Sequence, residues 1–365
     1  MSRRRLRALV VVEQLRLRSP GGIGTYARGL LQGLGELGDG TPELELLASR
    51  PPGRPDPLEA LGHPVRASVF PGPVLTRLWD RGVLSAPSGF DVVQAVSLAT
   101  LETGGTPLVS TVLDLLWRRL PEAYPDRGRA WHEAALHRSL RRAERWIVPA
   151  DVVAHDLIDA GAPEAGVTVI PLGSDHLPPP DDAAGAALLA RLGVDGPFLL
   201  SVGTLEPRKN LPRLLDAYRR VRGELPEPWP LVMVGPTGWG EQLPAQDGVV
   251  CTGLVAPAEL SSLYARARLL AYVPLIEGFG LPPVEAMVVG TPVLASPAYP
   301  WTWAAIGTPG QTNFQLNMGD YQTAFFRTLL DTNSIPLWEA ADPNNPSAGI
   351  LTIIIDTPAN GSTLN

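Results

Sequence analysis

The chain is short of several things, and each shortage excludes something. Its 365 residues include one cysteine, Cys251, and one lysine, Lys209. A lone cysteine rules out an internal disulfide framework and suits a reducing compartment; Cys251 itself is expected as a small buried apolar residue. No apolar run is long enough to cross a bilayer. The opening MSRRRLRALVVVEQ has the arginines of a leader, but its apolar run is too short and charge follows it, so a first core strand is expected. Excess positive charge is also missing: the formal net charge of −7 argues against a nucleic-acid partner. No second His or Cys stands at metal spacing from His176, so no metal is expected.

What the chain has is a regular alternation. Apolar runs of strand length, Ala8 to Val12, Glu43 to Leu47, Asp91 to Val96, Pro107 to Val112, Trp146 to Val148 and Val167 to Ile170, are separated by segments of helical length. Such continuous runs read as buried parallel strands, and their alternation with helices implies an α/β sheet. The chain is long enough for two domains with cores of their own. We expect a doubly wound domain over 1–177 and a hinge over 178–196, marked by a triple proline and an alanine-rich helix. A second domain over 197–298 and an atypical tail over 299–365 follow. The Pro-, Gly- and Arg-rich stretch 51–90 reads as loops with short helices.

One stretch concentrates chemistry: EGFGLPPVE, Glu277 to Glu285. Pro282 and Pro283 fit the first turn of a helix, where a missing N–H is harmless and φ is already set. The open amides of that helix fall near Gly280 and Leu281, and such a start attracts phosphate oxygens. Glu285 lies just inside the helix and Glu277 on the loop before it, so both can face one ligand. A carboxylate pair beside an anion site suits a nucleotide sugar; solvated glutamates on a proline-bounded loop are the alternative.

Arg208 and Lys209 form a second candidate. They stand between a strand that ends at Gly203 and an amphipathic helix, Leu211 to Arg220, which is the crevice where open α/β sheets bind ligands. A planar guanidinium and a point charge together can neutralise a diphosphate without Mg²⁺; an exposed basic turn is the alternative. A third is Pro20 to Gly24. Gly22, Gly24 and Ala27 satisfy G-x-G-x-x-A, but Glu13 to Pro20 separate them from the strand and no carboxylate ends the second strand, so a dinucleotide fingerprint fails on spacing. A flexible loop is the other reading. Arg138 to Arg145 gives a basic helical face, either solvated or in contact with anionic lipid.

The wider run EGFGLPPVEAMVVGTPVLAS, with Arg208-Lys209-Asn210 before it, resembles the signature of retaining glycosyltransferases of the GT-B type, the family 4 group, and the resemblance extends from about Ala8 to Ser296. It implies a GT-B architecture, two Rossmann-like doubly wound domains facing a cleft, the first binding the acceptor. The second would hold a nucleotide-diphosphate sugar, which is the donor substrate, with no cofactor and no metal. By this resemblance Gly22 and Gly24 close over the donor's diphosphate. Gly203, Leu254, Val255, Phe279, Gly280 and Leu281 surround the donor, the backbone near Leu254 recognising the base. Glu285 holds the ribose hydroxyls, Glu277 the transferred sugar, and Arg208 with Lys209 the leaving phosphate. Asp114 is retained from the family's His-Asp pair, with a turn or capping role as its alternative. Where the histidine is expected this chain has Leu113, which can neither donate nor accept a hydrogen bond.

The pattern Leu113 to Trp117 with Pro121 to Pro125 resembles mannosyl- and rhamnosyl-transferring relatives. It implies a donor like GDP-mannose, while the family implies a glycan or lipid-linked acceptor; the lone cysteine and the want of a membrane-length apolar run read as a cytoplasmic protein, with peripheral contact at the inner face of the membrane as an option. Three other readings stand beside it: a nucleotide-sugar-binding pseudoenzyme, favoured by Leu113, an epimerase of similar two-domain shape, and a dehydrogenase.

The resemblance stops near Pro297. Asn210 is the one asparagine before position 299, whereas Asn313, Asn317, Asn333, Asn344, Asn345, Asn360 and Asn365 follow it, and arginine falls to Arg327 alone. A foreign or partly disordered tail is expected, with one helical candidate, Tyr321 to Leu330, and one strand, Ile350 to Ile355.

Overall fold

The computed structural model describes residues 4–17, 19–51, 53, 56–174, 176–222, 229–239 and 243–296, with the short stretches 305–306, 315–316 and 352–354. The chain divides into two compact units between His176 and Leu177. Each unit is built on its own sheet.

The first unit contains β1 (Arg7–Val11), α1 (Gly21–Gly35), β2 (Glu43–Ala48), β3 (Val65–Ala67), α2 (Gly72–Asp80), β4 (Val92–Ala95) and β5 (Leu108–Thr111). The short α3 (Leu116–Arg119), α4 (Asp126–Arg142), β6 (Arg145–Val148), α5 (Asp151–Asp159) and β7 (Val167–Val169) complete it. The strands form a parallel sheet of order β3-β2-β1-β4-β5-β6-β7. Successive side chains of a strand point to opposite faces. Accordingly Leu9 and Val11 enter one buried cluster with Trp79, Val93 and Trp146, while Ala8, Val10 and Val12 enter another with Leu31, Leu46 and Leu58. Both faces of the sheet are therefore covered, which is why β1 reads as an unbroken apolar run.

The second unit contains α6 (Asp182–Leu192), β8 (Leu199–Val202), α7 (Leu211–Arg222), β9 (Leu231–Val234), β10 (Val249–Gly253) and α8 (Pro257–Arg266). It continues with β11 (Leu269–Tyr272), α9 (Leu281–Val288), β12 (Val293–Ala295), β13 (Ala305–Ile306), β14 (Gln315–Leu316) and β15 (Thr352–Ile354). Its main sheet runs β10-β9-β8-β11-β12-β15, all parallel, and β13 pairs with β14 alone in an antiparallel ribbon. Val232 and Val234 feed one core with Leu188, Leu200 and Tyr264; Leu231 and Met233 feed the other with Leu211, Leu215 and Tyr218.

The alanine-rich helix expected within 178–196 is α6, a capped helix that packs on the second unit. Asp181 Oδ1 accepts from the amides of Ala183 and Ala184 at 2.9 and 3.0 Å, Gly193 closes the other end at φ 66°, and Leu188 and Leu189 enter the core. Ser262 Oγ on α8 accepts from the Asp181 amide at 2.8 Å. The residues Gly21 to Gly24, expected in a loop, form the first turn of α1. Gly24 is required there by close approach, since a Cβ would lie 2.2 Å from that of Pro20, whereas a Cβ at Gly22 meets nothing. Cys251 is exposed rather than buried, because β10 is the edge strand of its sheet and its ladder is irregular at that residue. The strand expected over Ile350 to Ile355 has its counterpart in β15, which pairs Thr352, Ile353 and Ile354 with Val293, Leu294 and Ala295. The helical candidate Tyr321 to Leu330 lies outside the described residues.

The basic helical face is partly committed inside the first unit. Arg138 pairs with Asp80 at 2.6 Å, and Arg142 pairs with Glu102 at 2.6 Å while donating to the carbonyls of Trp79 and Thr100. Among the described residues no helix is long and apolar enough to cross a membrane.

Candidate active site

The second sheet decides where its functional side chains meet. β8 is hydrogen-bonded to β9 on one side and β11 on the other, so the strand order reverses between β8 and β11. Chain segments leaving the carboxyl ends of those two neighbours diverge and leave a crevice. The segment after β8 carries Gly203 to Asn210; the segment after β11 carries Val273 to Gly280. Leu275 donates its amide to the carbonyl of Arg208 at 2.7 Å, which ties the two together.

Arg208 and Lys209 sit in a short 3-10 turn, Pro207–Lys209, that ends on Asn210 at φ 56°. Asparagine tolerates this left-handed backbone better than other side chains with a Cβ. α7 starts immediately afterwards, and the amides of Arg213 and Leu214 bond to the Asn210 carbonyl. Lys209 is folded inward: Nζ lies 2.5 Å from Glu277 Oε1 and 3.2 Å from the Tyr272 hydroxyl, and its stem runs along Gly203. Arg208 Nη1 donates to the same Glu277 oxygen at 2.7 Å, and its Nε lies 2.6 Å from Glu206 Oε1. Lys209, Glu206 and Glu277 are all buried.

Two cations and two carboxylates thus stand in one cluster whose formal charges cancel. Burial alone would raise the Glu277 pKa, but Arg208 and Lys209 outweigh it and hold the carboxyl at about 2. Burial pushes the Lys209 ammonium down, against the pull of Glu277. The Tyr272 phenol is driven well up, first by burial and then by the charge on Glu277, so it stays a neutral donor.

α9 starts beside this cluster. Gly280 caps it at φ 80°, a conformation that favours glycine, and prolines occupy the first turn. Glu285 lies buried in the second turn, where its Oε2 accepts from the Tyr264 hydroxyl at 2.5 Å. Phe279 and Leu281 are partly buried on either side of Gly280. Leu254 is exposed after β10, while the neighbouring Val255 packs against the core. The structure therefore brings Arg208, Lys209 and Glu277 into contact and lays Gly203 against them.

Gly22, Gly24 and Asp114 belong to the first unit. Asp114 follows β5, and its Oδ1 accepts from the Leu116 amide at 3.3 Å, the turn role weighed for it. Leu113 beside it is partly buried.

Two features had no signal in the sequence pattern. Glu206 was one glutamate of many until the fold laid it against Arg208. His132, on α4, stacks on Trp117 with ring centroids 4.8 Å apart and meets Tyr124 and Trp131 edge-on. Burial lowers its pKa, against the charge of Asp114. Among the described residues, no group of three or more His, Cys, Asp or Glu is placed to hold a metal ion.

Comparison with known proteins bears on both units. Residues 20–176 match the family model described as Glycosyltransferase Family 4, and residues 190–302 match Glycosyl transferases group 1. The chain is 31% identical over 200 residues to the O-antigen chain mannosyltransferase B of Escherichia coli, a match covering 52% of each chain. It is 34% identical over 174 residues to the D-inositol 3-phosphate glycosyltransferase of Kineococcus radiotolerans, covering 42% of this chain and 40% of the relative. The chain thus spans about half the length of these curated relatives, or less. In three dimensions it is similar to the crystal structure of Anabaena Alr3699/HepE in complex with UDP-glucose, with a TM-score of 0.58 and 19% identity over 94% of this chain and 92% of that one. Each unit carries its own doubly wound parallel sheet and its own family match, and the chain belongs to the family 4 glycosyltransferases of the GT-B type.

Proposed function

We propose that the protein transfers a sugar from a nucleotide-diphosphate sugar to a hydroxyl of a glycan or lipid-linked acceptor, with retention at the transferred carbon. We assign the donor as mannose-type, in line with GDP-mannose, because the relatives at 31–35% identity include mannosyltransferases of Escherichia coli. The observation that carries the reading is the convergence of Arg208 and Lys209 on Glu277 at the switch point of the second sheet.

In this reading the diphosphate lies against Arg208, Lys209, Gly203 and the open amides at Gly280 and Leu281. Phe279 is beside the donor, Leu254 and Val255 are beside the base, Glu285 holds the ribose hydroxyls and Glu277 the transferred sugar. As the bond from the sugar carbon to the phosphate oxygen breaks, negative charge builds on the leaving diphosphate. Fixed cations aimed at that oxygen lower the barrier more than they favour the ground state. The acceptor hydroxyl forms the new bond and gives its proton to the leaving phosphate. Glu277 keeps both cations oriented and ionised until the donor arrives. In the first unit, Asp114, Gly22 and Gly24 are assigned to substrate at the carboxyl edge of that sheet.

The test is donor binding and transfer with the full chain. A thermal-shift screen against UDP, GDP, ADP and dTDP sugars should give a clear rise with one of them. The double variant R208A/K209A should remove that rise; unchanged affinity would refute the assignment. Leu113 favours a second reading, a binder without turnover, and tight donor binding with neither transfer nor hydrolysis would select it.

A further inference from the structure

α8 and α9 are joined by a buried polar contact that the proposed chemistry does not use. Tyr264 on α8 is completely buried, and its hydroxyl meets Glu285 Oε2 at 2.5 Å. A carboxylate can only accept, so the phenol donates. Tyr264 is itself held at its other end, where the Thr291 hydroxyl donates to its carbonyl oxygen. Thr291 is buried in turn, and its amide bonds to the carbonyl of Ala286, one residue beyond Glu285. The contacts thus run from the backbone of α9 through Thr291 and Tyr264 back to the side chain of Glu285.

Such an arrangement removes freedom. A glutamate has three rotatable bonds, and a contact with a ligand hydroxyl is most effective when its orientation is fixed in advance. A buried donor at hydrogen-bond distance supplies that, and Tyr264 cannot swing away because the core surrounds its ring. Burial first, and then the carboxylate, push the phenol pKa well up, so the donor proton is retained at any ordinary pH.

We infer that Tyr264 is a positioning residue that sets Glu285 to recognise the ribose of the donor, and so makes the site select ribonucleotides over nucleotides lacking the ribose hydroxyls. This rests on the assignment of Glu285 to the ribose. Tyr264 touches no substrate in this scheme; it acts through the carboxylate.

The experiment compares GDP and UDP with their 2′,3′-dideoxy counterparts by titration calorimetry on the full-length wild type and on Y264F. Wild type should prefer the ribose form of the nucleotide it binds by about tenfold or more, the size expected for hydrogen bonds to a charged group. In Y264F that preference should fall below about threefold, with the dideoxy form bound nearly as before. A merely structural tyrosine would weaken both forms alike, and that result overturns the inference. So does an undiminished ribose preference in Y264F, with the donor reading left standing. A wild type that binds both forms equally overturns the assignment of Glu285 to the ribose and the inference with it, with the donor reading left standing; one that binds neither overturns a GDP- or UDP-type donor and the inference with it. Phenylalanine preserves the buried volume; should Y264F not fold, the near-isosteric T291V, which removes the hydroxyl that holds the Tyr264 carbonyl, should lower the ribose preference in the same direction, and an unchanged preference would overturn the inference.

Discussion

Lys209 and Glu277, 68 residues apart in sequence, meet at 2.5 Å inside the second unit, and Arg208 shares the same carboxylate oxygen. Neither charge would be stable there without the other. Removing one partner of a buried pair leaves a desolvated charge behind, whereas removing both can be nearly neutral. We therefore expect K209M to lower stability by about 2–4 kcal/mol, the lower end reflecting the help of Arg208. K209M/E277Q should lose less than the sum of the single variants. Urea denaturation of the four proteins measures the coupling, and strict additivity would show that the pair is not energetically joined.

The same contact predicts an acid response. The Glu277 carboxyl is held at about 2 in the folded protein, below its ordinary 4.5, so folding favours its ionised form. Its contribution is complete above about pH 4.5 and disappears as pH falls through about 2. Thermal melts between pH 6 and pH 2 should decline more steeply in this range for wild type than for E277Q. Parallel curves would remove Glu277 from the account of acid unfolding.

The glycines at the start of α1 should separate by role. A methyl group at Gly24 collides with Pro20, so G24A should destabilise by about 1–3 kcal/mol. A methyl group at Gly22 meets nothing, and alanine at a helical position lowers the conformational entropy that the unfolded chain has to lose on folding. G22A should accordingly gain about 0.4–1 kcal/mol. If Gly22 approaches the diphosphate as proposed, G22A should lose donor affinity while gaining stability, and a binding titration on the stabilised variant reads the two effects separately.

Leu113 offers a test by restoration. The family resemblance expects an imidazole at this position, and leucine supplies no hydrogen bond. L113H should raise turnover of the preferred donor by about tenfold or more, the scale of one well-aimed donor in a transition state. Product release measured with the donor alone and with acceptor present would show it; no gain would refute a role in turnover for an imidazole at position 113.

Much of this was legible in the order of residues. Both faces of each sheet are covered, so β1, β9 and β11 announce themselves as unbroken apolar runs, and the prolines before Val284 mark the start of α9. The pairing of Arg208-Lys209 with Glu277 follows from two adjacent parallel strands and the segments that leave them. Other features lay out of reach for physical reasons. β3 is three residues long within a proline-rich stretch, too short to impose a period. A run of four residues with three glycines suggests freedom, yet Gly21 to Gly24 form the first turn of α1, with the Gly24 amide bonded to the Pro20 carbonyl and no room for a Cβ beside the Pro20 ring. Cys251 looked interior because its neighbours are apolar, but an edge strand has a side that nothing covers. Contacts such as Glu206 with Arg208 and Tyr264 with Glu285 depend on rotamers, and a sequence does not display those.

The ladder between β12 and β15 bears on how the protein is handled. Shortening the chain to the portion that matches the family models would strip β12 of its outer neighbour and bare the backbone amides and carbonyls that now meet residues 352–354. An uncovered margin of that kind recruits strands from other molecules. A version trimmed to the matched portion is expected to self-associate through that margin, and size-exclusion chromatography beside the full chain would show it.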